Sequence, residues 1–410
     1  MSFYANIDGG GDVLIGSFRG NGASSYLYKD DNLSGSIEGG ETTVLTAAFT
    51  EYTFNISGTG SNMVISTKCL LSTVNEEGAY DNIRVLGTSA PTETPPSVTT
   101  TATSSINTTT ATGNGSITAT GGANATNRGV IWYAYSNTDK IIGDAGVTNV
   151  SETGTYGVAA YTASLTGLAV NTRYNASAHA TNSAGTSYGS RVDFWTLANV
   201  PAAPTVNNAT STTLDVAINV NSNPTGTEFA IQETSGNLYV QANGTLGASA
   251  VWQTNSNWGT KTVTGLTAGT SYTFKVKARN GANTETAFSA TTSLSTKTPG
   301  LWTGATNTDW HTTTNWDDGV VPTATVDVTI PNVTNKPVIG SAAVCRALTV
   351  QSSSSLTIQS GQTLNVKGNV TLQNSSSFSN SGTLQFSGAD CHLSDNRSIK
   401  TNLGNITVTD

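Results

Sequence analysis

Two stretches of this chain repeat each other at a fixed offset. Leu165-Thr166-Gly167-Leu168-Ala169-Val170-Asn171-Thr172-Arg173-Tyr174 leads into Ala178, Ala180, Asn182 and Gly185. Val263-Thr264-Gly265-Leu266-Thr267-Ala268-Gly269-Thr270-Ser271-Tyr272 leads into Val276, Ala278, Asn280 and Gly281. Leu168 maps onto Leu266, Tyr174 onto Tyr272 and Asn182 onto Asn280, each 98 residues apart. A constant offset near 100 residues means tandem copies of one domain.

What that domain is made of follows from periodicity. Leu214 to Val220, Tyr272 to Ala278, Val192 to Thr196 and Thr50 to Ile56 set apolar and polar residues largely on alternate positions. This is the pattern of a half-buried antiparallel strand. Turn signals such as Gly113-Asn114-Gly115, Pro224-Thr225-Gly226 and Asn280-Gly281 recur between such runs, as in sandwiches and barrels. No helical stripe of ten residues or more stands out. Charged residues make up only 11% of the 410 residues, against about 25% in an ordinary soluble domain, so long helix-forming side chains are scarce. The sequence predicts an all-β chain. Proline punctuates it at 88–96, at Val200-Pro201-Ala202-Ala203-Pro204 and at Lys297-Thr298-Pro299-Gly300. Proline cannot donate to a central ladder, so these points are expected to lie between sheets.

The motif Gly-Leu-x-x-x-Thr-x-Tyr followed by Ala-x-Asn resembles fibronectin type III domains, in particular the Thr-rich tandem variety of secreted Bacteroidota proteins. The resemblance implies two immunoglobulin-type sandwiches, 95–198 and 201–298. In each, the Leu would plug the bottom of the core and the Tyr hydroxyl would reach back to a backbone group across the corner. Trp132 in the first copy, and Phe229 with Ile231 in the second, take the place of the central core strand.

Residues 1–88 also read as strands and end in Ala79-Tyr80-Asp81-Asn82-Ile83-Arg84-Val85-Leu86-Gly87. That ending resembles the last strand of jelly-roll modules, many of which bind carbohydrate. A jelly roll is normally longer, so this one is expected to be partial. Residues 300–410 open with Trp302, Trp310 and Trp316. After Ala343 come Leu348-Thr349-Val350, Leu356-Thr357-Ile358 and Leu364-Asn365-Val366, eight residues apart, then Val370-Thr371-Leu372, Leu384-Gln385-Phe386 and Ile406-Thr407-Val408. Triplets at such intervals predict the faces of a parallel β-solenoid whose coils stack their apolar residues. The segment resembles Trp-capped solenoid starts of secreted proteins, and the solenoid is expected to continue past Asp410.

Charge and motifs exclude several functions. A net of −8 and a pI near 4.9 leave no basic patch to displace counterions, so nucleic acid is not the expected partner. No run approaches about 18 apolar residues, so no spanning helix is predicted. P-loop, GxSxG, HExxH and CxxC patterns are missing. Cys69, Cys345 and Cys391 allow at most one bridge. Cys345 and Cys391 are either bridged between coils or packed as free thiols, and no nucleophilic role is expected of either.

Candidate site residues each admit a plain structural reading. Trp302, Trp310 and Trp316 form either a sugar-stacking platform or a cap over the first coil, and the cap is favoured. Trp252 and Trp258 flank a polar loop and serve either binding or edge packing. Asp81 matches, by the jelly-roll resemblance, a position that ligates a structural Ca²⁺; the alternative is a solvated turn carboxylate. Glu76 and Glu77 read as a loop charge pair and not a catalytic one, since adjacent residues of a strand face opposite ways and cannot flank one bond.

The expected function is non-catalytic. The chain reads as a bacterial secreted or cell-surface adhesion scaffold, with glycan or surface-polymer partners at its terminal modules and the sandwiches as spacer. Neither a signal peptide nor a sorting sequence is recognised in 1–410. Two alternatives are an accessory region of a secreted hydrolase whose catalytic domain lies elsewhere, and a fibre subunit that self-associates.

Overall fold

The computed structural model describes residues 92–409 and, of the first 91 residues, the backbone of five strands. The chain is nearly all-β, with antiparallel sandwiches followed by a parallel solenoid. Its only helical turns among the described residues are Asn255–Trp258 and the 3-10 turn Thr313–Asn315.

Residues Met1–Ala90 make one compact unit. Its described strands form an antiparallel sheet in the order Val44–Leu45, Leu27–Asp30, Val13–Gly20, Ser2–Ile7, Met63–Lys68. Residues 79–87, which carry the jelly-roll resemblance, and the 50–56 alternation lie outside the described residues.

Within Pro91–Asp410, the second compact unit, the first sandwich packs the sheet Ala159–Thr166, Thr110–Ala119, Ser97–Ser104 onto a second sheet. That sheet runs Gly185–Tyr188, Arg173–Asn182, Ala125–Ala134, Thr148–Tyr156, with Val192–Trp195 also pairing Arg173–Asn182. The core holds Ile117, Val130, Leu165, Leu168, Tyr174, Ala176, Ala178 and Phe194, with Trp132 half-buried against it. Gly113-Asn114-Gly115 is not a turn: it lies inside Thr110–Ala119. A Cβ on Gly115 would come 2.6 Å from the Ala178 Cβ, and one on Gly113 2.8 Å from a Val130 methyl. The glycines let the two layers approach, a use of glycine that mimics a turn signal in sequence.

The second sandwich repeats the plan. Ala202–Asn207, Leu214–Asn219 and Thr260–Val263 face a sheet of Leu246–Gly247, Leu238–Val240, Glu228–Glu233, Ser271–Arg279 and Thr292–Ser295. Leu214, Val216, Phe229, Ile231, Trp258, Val263, Phe274 and Val276 fill the core. Pro204 lies inside the strand Ala202–Asn207 and not between sheets. That strand is at the sheet edge and its register slips between Ala202 and Thr205. An edge position with an irregular register is where a strand tolerates a residue without N–H.

The repeated motif builds the same corner twice. Gly167 and Gly265 both sit at φ 75°, in the left-handed region that glycine adopts freely. Leu168 and Leu266 are buried below. The Tyr174 hydroxyl accepts from the Ala169 N–H at 2.8 Å, and the Tyr272 hydroxyl from the Thr267 N–H at 2.8 Å.

In the solenoid three parallel sheets form three faces. Val328–Ile330, Leu348–Val350, Val370–Leu372 and Leu393–Asp395 stack on one; Val338–Ile339, Ser355–Ile358 and Ser377–Asn380 on the next; Ala343–Cys345, Thr363–Val366, Thr383–Phe386 and Asn405–Val408 on the third. Stacking puts Ile330 over Val350 and Leu372, and Cys345 over Val366 and Phe386. The coils begin before Ala343, because Val328–Ile330 and Val338–Ile339 already belong to the first one.

Candidate functional site

The three tryptophans of the C-terminal segment are structural. Trp302, Trp310 and Trp316 are 0%, 0% and 2% exposed. Their rings meet edge-to-face, with centroids 5.0 Å apart for Trp302 and Trp316 and 4.8 Å for Trp310 and Trp316. No ring face is free to stack on a sugar, so they cap the first coil. Leu301 pairs in parallel with Thr329, and Asp309 with Val338, as an incomplete coil would. The polar hub of this cap is Asn315, which is fully buried. Its side-chain oxygen accepts from the Thr306 and Asn307 N–H groups at 2.9 and 3.0 Å, and its amide donates to Asn307 Oδ1 and the Asp309 carbonyl at 2.7 and 2.9 Å. Sequence reasoning missed Asn315, since one buried Asn looks like any other in a chain rich in Asn.

Cys345 and Cys391 are both free, Cys345 buried and Cys391 partly so. Burial pushes the Cys345 thiol up to about 12, which leaves it protonated and unreactive. His179 sits in the first sandwich, His311 in the cap beside the Ala342 carbonyl, and His392 on the surface. Among the described residues no three His, Cys, Asp or Glu side chains gather as metal ligands. Asp81, Glu76, Glu77 and Cys69 lie outside the described residues. Two open clefts of about 420 and 350 Å³ flank the joint between the sandwiches, lined largely by Ala, Thr and Leu with Glu285 on one and Asp193 on the other.

One outward face gathers charge and aromatic rings together. On Ser271–Arg279 the residues Phe274, Val276 and Ala278 point into the core, so Lys275, Lys277 and Arg279 share the opposite face. The register sets Ala230 opposite Lys277 and Glu228 opposite Arg279. Over the small Ala230, the Lys277 ammonium lies 5.3 Å from the Trp252 ring centre and 5.6 Å from that of Tyr239. It is also 5.2 Å from the Phe288 ring, over which Lys275 sits at 4.2 Å. The Arg279 guanidinium lies 4.7 Å from the Trp252 ring centre. Lys277 and Arg279 each pair a glutamate at 2.6 Å, Glu285 and Glu228 respectively. Lys275 has no acidic partner among the described residues. Of the two Trp of the polar loop, Trp258 is core, with its Nε1 donating to the Phe229 carbonyl at 2.9 Å. Trp252 is half-buried on the surface.

Residues 301–409 match a domain family described only as a domain of unknown function, DUF8693. No curated protein matches the chain. Among solved structures, the two-domain fibronectin type III segment of chicken tenascin is 13% identical, covering 50% of this chain and all of that one, at a TM-score of 0.31. The fibronectin domains FN1–FN3 of chicken CNTN1 are 17% identical, with 50% and 68% covered and a TM-score of 0.21. The sensor domain of the anti-sigma factor RsgI4 of Pseudobacteroides cellulosolvens is 19% identical, with 25% and 95% covered and a TM-score of 0.21. Among the described residues no helix is long and apolar enough to cross a membrane.

Proposed function

We propose that this chain is an extracellular, non-catalytic scaffold that holds polymer-binding surfaces at fixed separations and contacts glycans or a surface polymer. The observation that carries this is the pair of joints between modules. Asn280 Nδ2 donates to the Thr196 carbonyl at 3.0 Å, Asn171 Oδ1 accepts from the Gly281 N–H at 3.0 Å, and Asn171 Nδ2 donates to Thr227 Oγ1 at 2.8 Å. Asn223 bonds both ways with the Asn199 backbone, each at 2.8 Å. At the other joint Asp317 accepts from the Thr298 N–H at 2.7 Å and from Lys297 Nζ at 3.1 Å. Several buried polar contacts of about 1 kcal/mol each hold one mutual position far better than a flexible linker does.

The solenoid surface supports a glycan or surface-polymer partner. Thr329, Thr349, Thr371 and Ser394 stand in one column, and Asn365, Gln385 and Thr407 in another. These uncharged donors and acceptors repeat about every 4.8 Å, a surface suited to hydroxyl-rich polymers.

The test is retention without turnover. The full chain is passed over a panel of insoluble neutral and acidic polysaccharides, and reducing ends released into solution are measured. Retention on at least one polymer with no new reducing ends is expected. Release of reducing ends, or failure to bind any polymer, contradicts the proposal.

A further inference from the structure

We propose that the outward face of the second sandwich, built on Lys275, Lys277 and Arg279, is a binding site for an acidic linear polysaccharide, so that the spacer itself carries a ligand site. The inference rests on the scaffold reading only for the general class of partner.

Three of the chain's 18 Lys and Arg lie at alternate positions of one strand, all on the outer face. Alternate positions on a strand are about 7 Å apart, so the three charges form a straight row. They are also held in place. Lys275 lies over Phe288, Lys277 between Phe288, Trp252 and Tyr239, and Arg279 against Trp252. Cations fixed over aromatic faces have already lost most of the rotamer freedom that ligand binding would otherwise remove, which is the advantage of a pre-organised site.

Glu228 and Glu285 stand at the two sides of the row, with side chains 37% and 45% exposed against 12% for Lys277 and 25% for Arg279. The glutamates are the solvent-open ends of both pairs, so carboxylates or sulfates of a polymer approach the cations where those glutamates stand. The two glutamates compete with the ligand for the same cations. That competition gives the site a signature that a purely structural cluster lacks.

The full chain is titrated at low salt with polygalacturonate (carboxylate) and dextran sulfate (sulfate), with dextran as neutral control and duplex DNA as a non-glycan polyanion. Binding to one or both acidic glycans is expected, weakening as salt rises, with none to dextran. The paired variant Lys275→Met/Lys277→Met keeps the apolar stems over the rings and should lose at least tenfold in affinity. Glu228→Gln/Glu285→Gln should gain severalfold, a readout that does not require the lysine variant to fold. The stronger of the two arms identifies the anion.

No binding to either acidic glycan overturns the proposal, as does binding that neither variant changes, or duplex DNA bound as tightly as the glycans. Retention on a neutral polysaccharide that persists in both variants leaves the scaffold proposal standing while this site fails. Loss of all polysaccharide binding removes both.

Discussion

His179 shows what a single side chain contributes in a chain with so few charges. It is fully buried, its Nε2 lies 2.8 Å from Asn149 Oδ1, and its Nδ1 has no partner. Burial pushes its pKa down to about 4 from the usual 6.5, so the unfolded chain takes up the proton first. The stability it supports is therefore complete above about pH 6.5 and is lost as pH falls toward 4, by roughly 3 kcal/mol in all. Between pH 6.5 and 5, above the range of ordinary carboxylates, the urea midpoint of the first sandwich should fall in the wild type and stay level in His179→Gln. Equal slopes in the two proteins would contradict this. At the same scale the repeated Leu and Tyr were legible, because a hydroxyl that closes a corner needs a fixed spacing. The roles of Gly113 and Gly115 were not, since close approach of two sheets leaves the same mark as a turn.

Among elements, the solenoid was read from its triplets: an eight-residue step carries the chain from one face to the next. Val338–Ile339, in the first coil, is only two residues long, too short for alternation to register in the sequence. Leu393–Asp395 escaped because its third position is the acid Asp395, stacked on Leu372. Arg397, buried beside it, donates to both Asp395 carboxylate oxygens at 2.8 Å, and this pairing holds the carboxyl down to about 2. Coil stacking makes a direct prediction for the cysteines. With the folded chain at pH 8, a thiol reagent followed by peptide mapping should modify Cys391 and leave Cys345 untouched until denaturant is added. Labelling of Cys345 at the rate of Cys391 would mean that the third face opens.

On the scale of the whole molecule, the joints decide whether tandem domains act as a chain of beads or as a rod. The prolines marked the approximate boundary, but they do not fix it. Asn280 does, through the Thr196 carbonyl; its equivalent Asn182 donates to the Thr94 and Thr120 carbonyls beside its own sandwich at 2.8 and 2.9 Å. In the second copy the motif that identifies the domain thus also ties it to the first sandwich, a link invisible until the partner carbonyl is in place. Gly281 beside it lies against Trp195, and a Cβ there would be 2.3 Å from the indole ring. The most direct measurement is the distance distribution between genetically encoded nitroxides at the exposed Ser164 and Thr260, read by double electron–electron resonance. One narrow distance is predicted for the otherwise native chain, broadened by Gly281→Ala; a broad distribution without that substitution would contradict a scaffold of fixed separations.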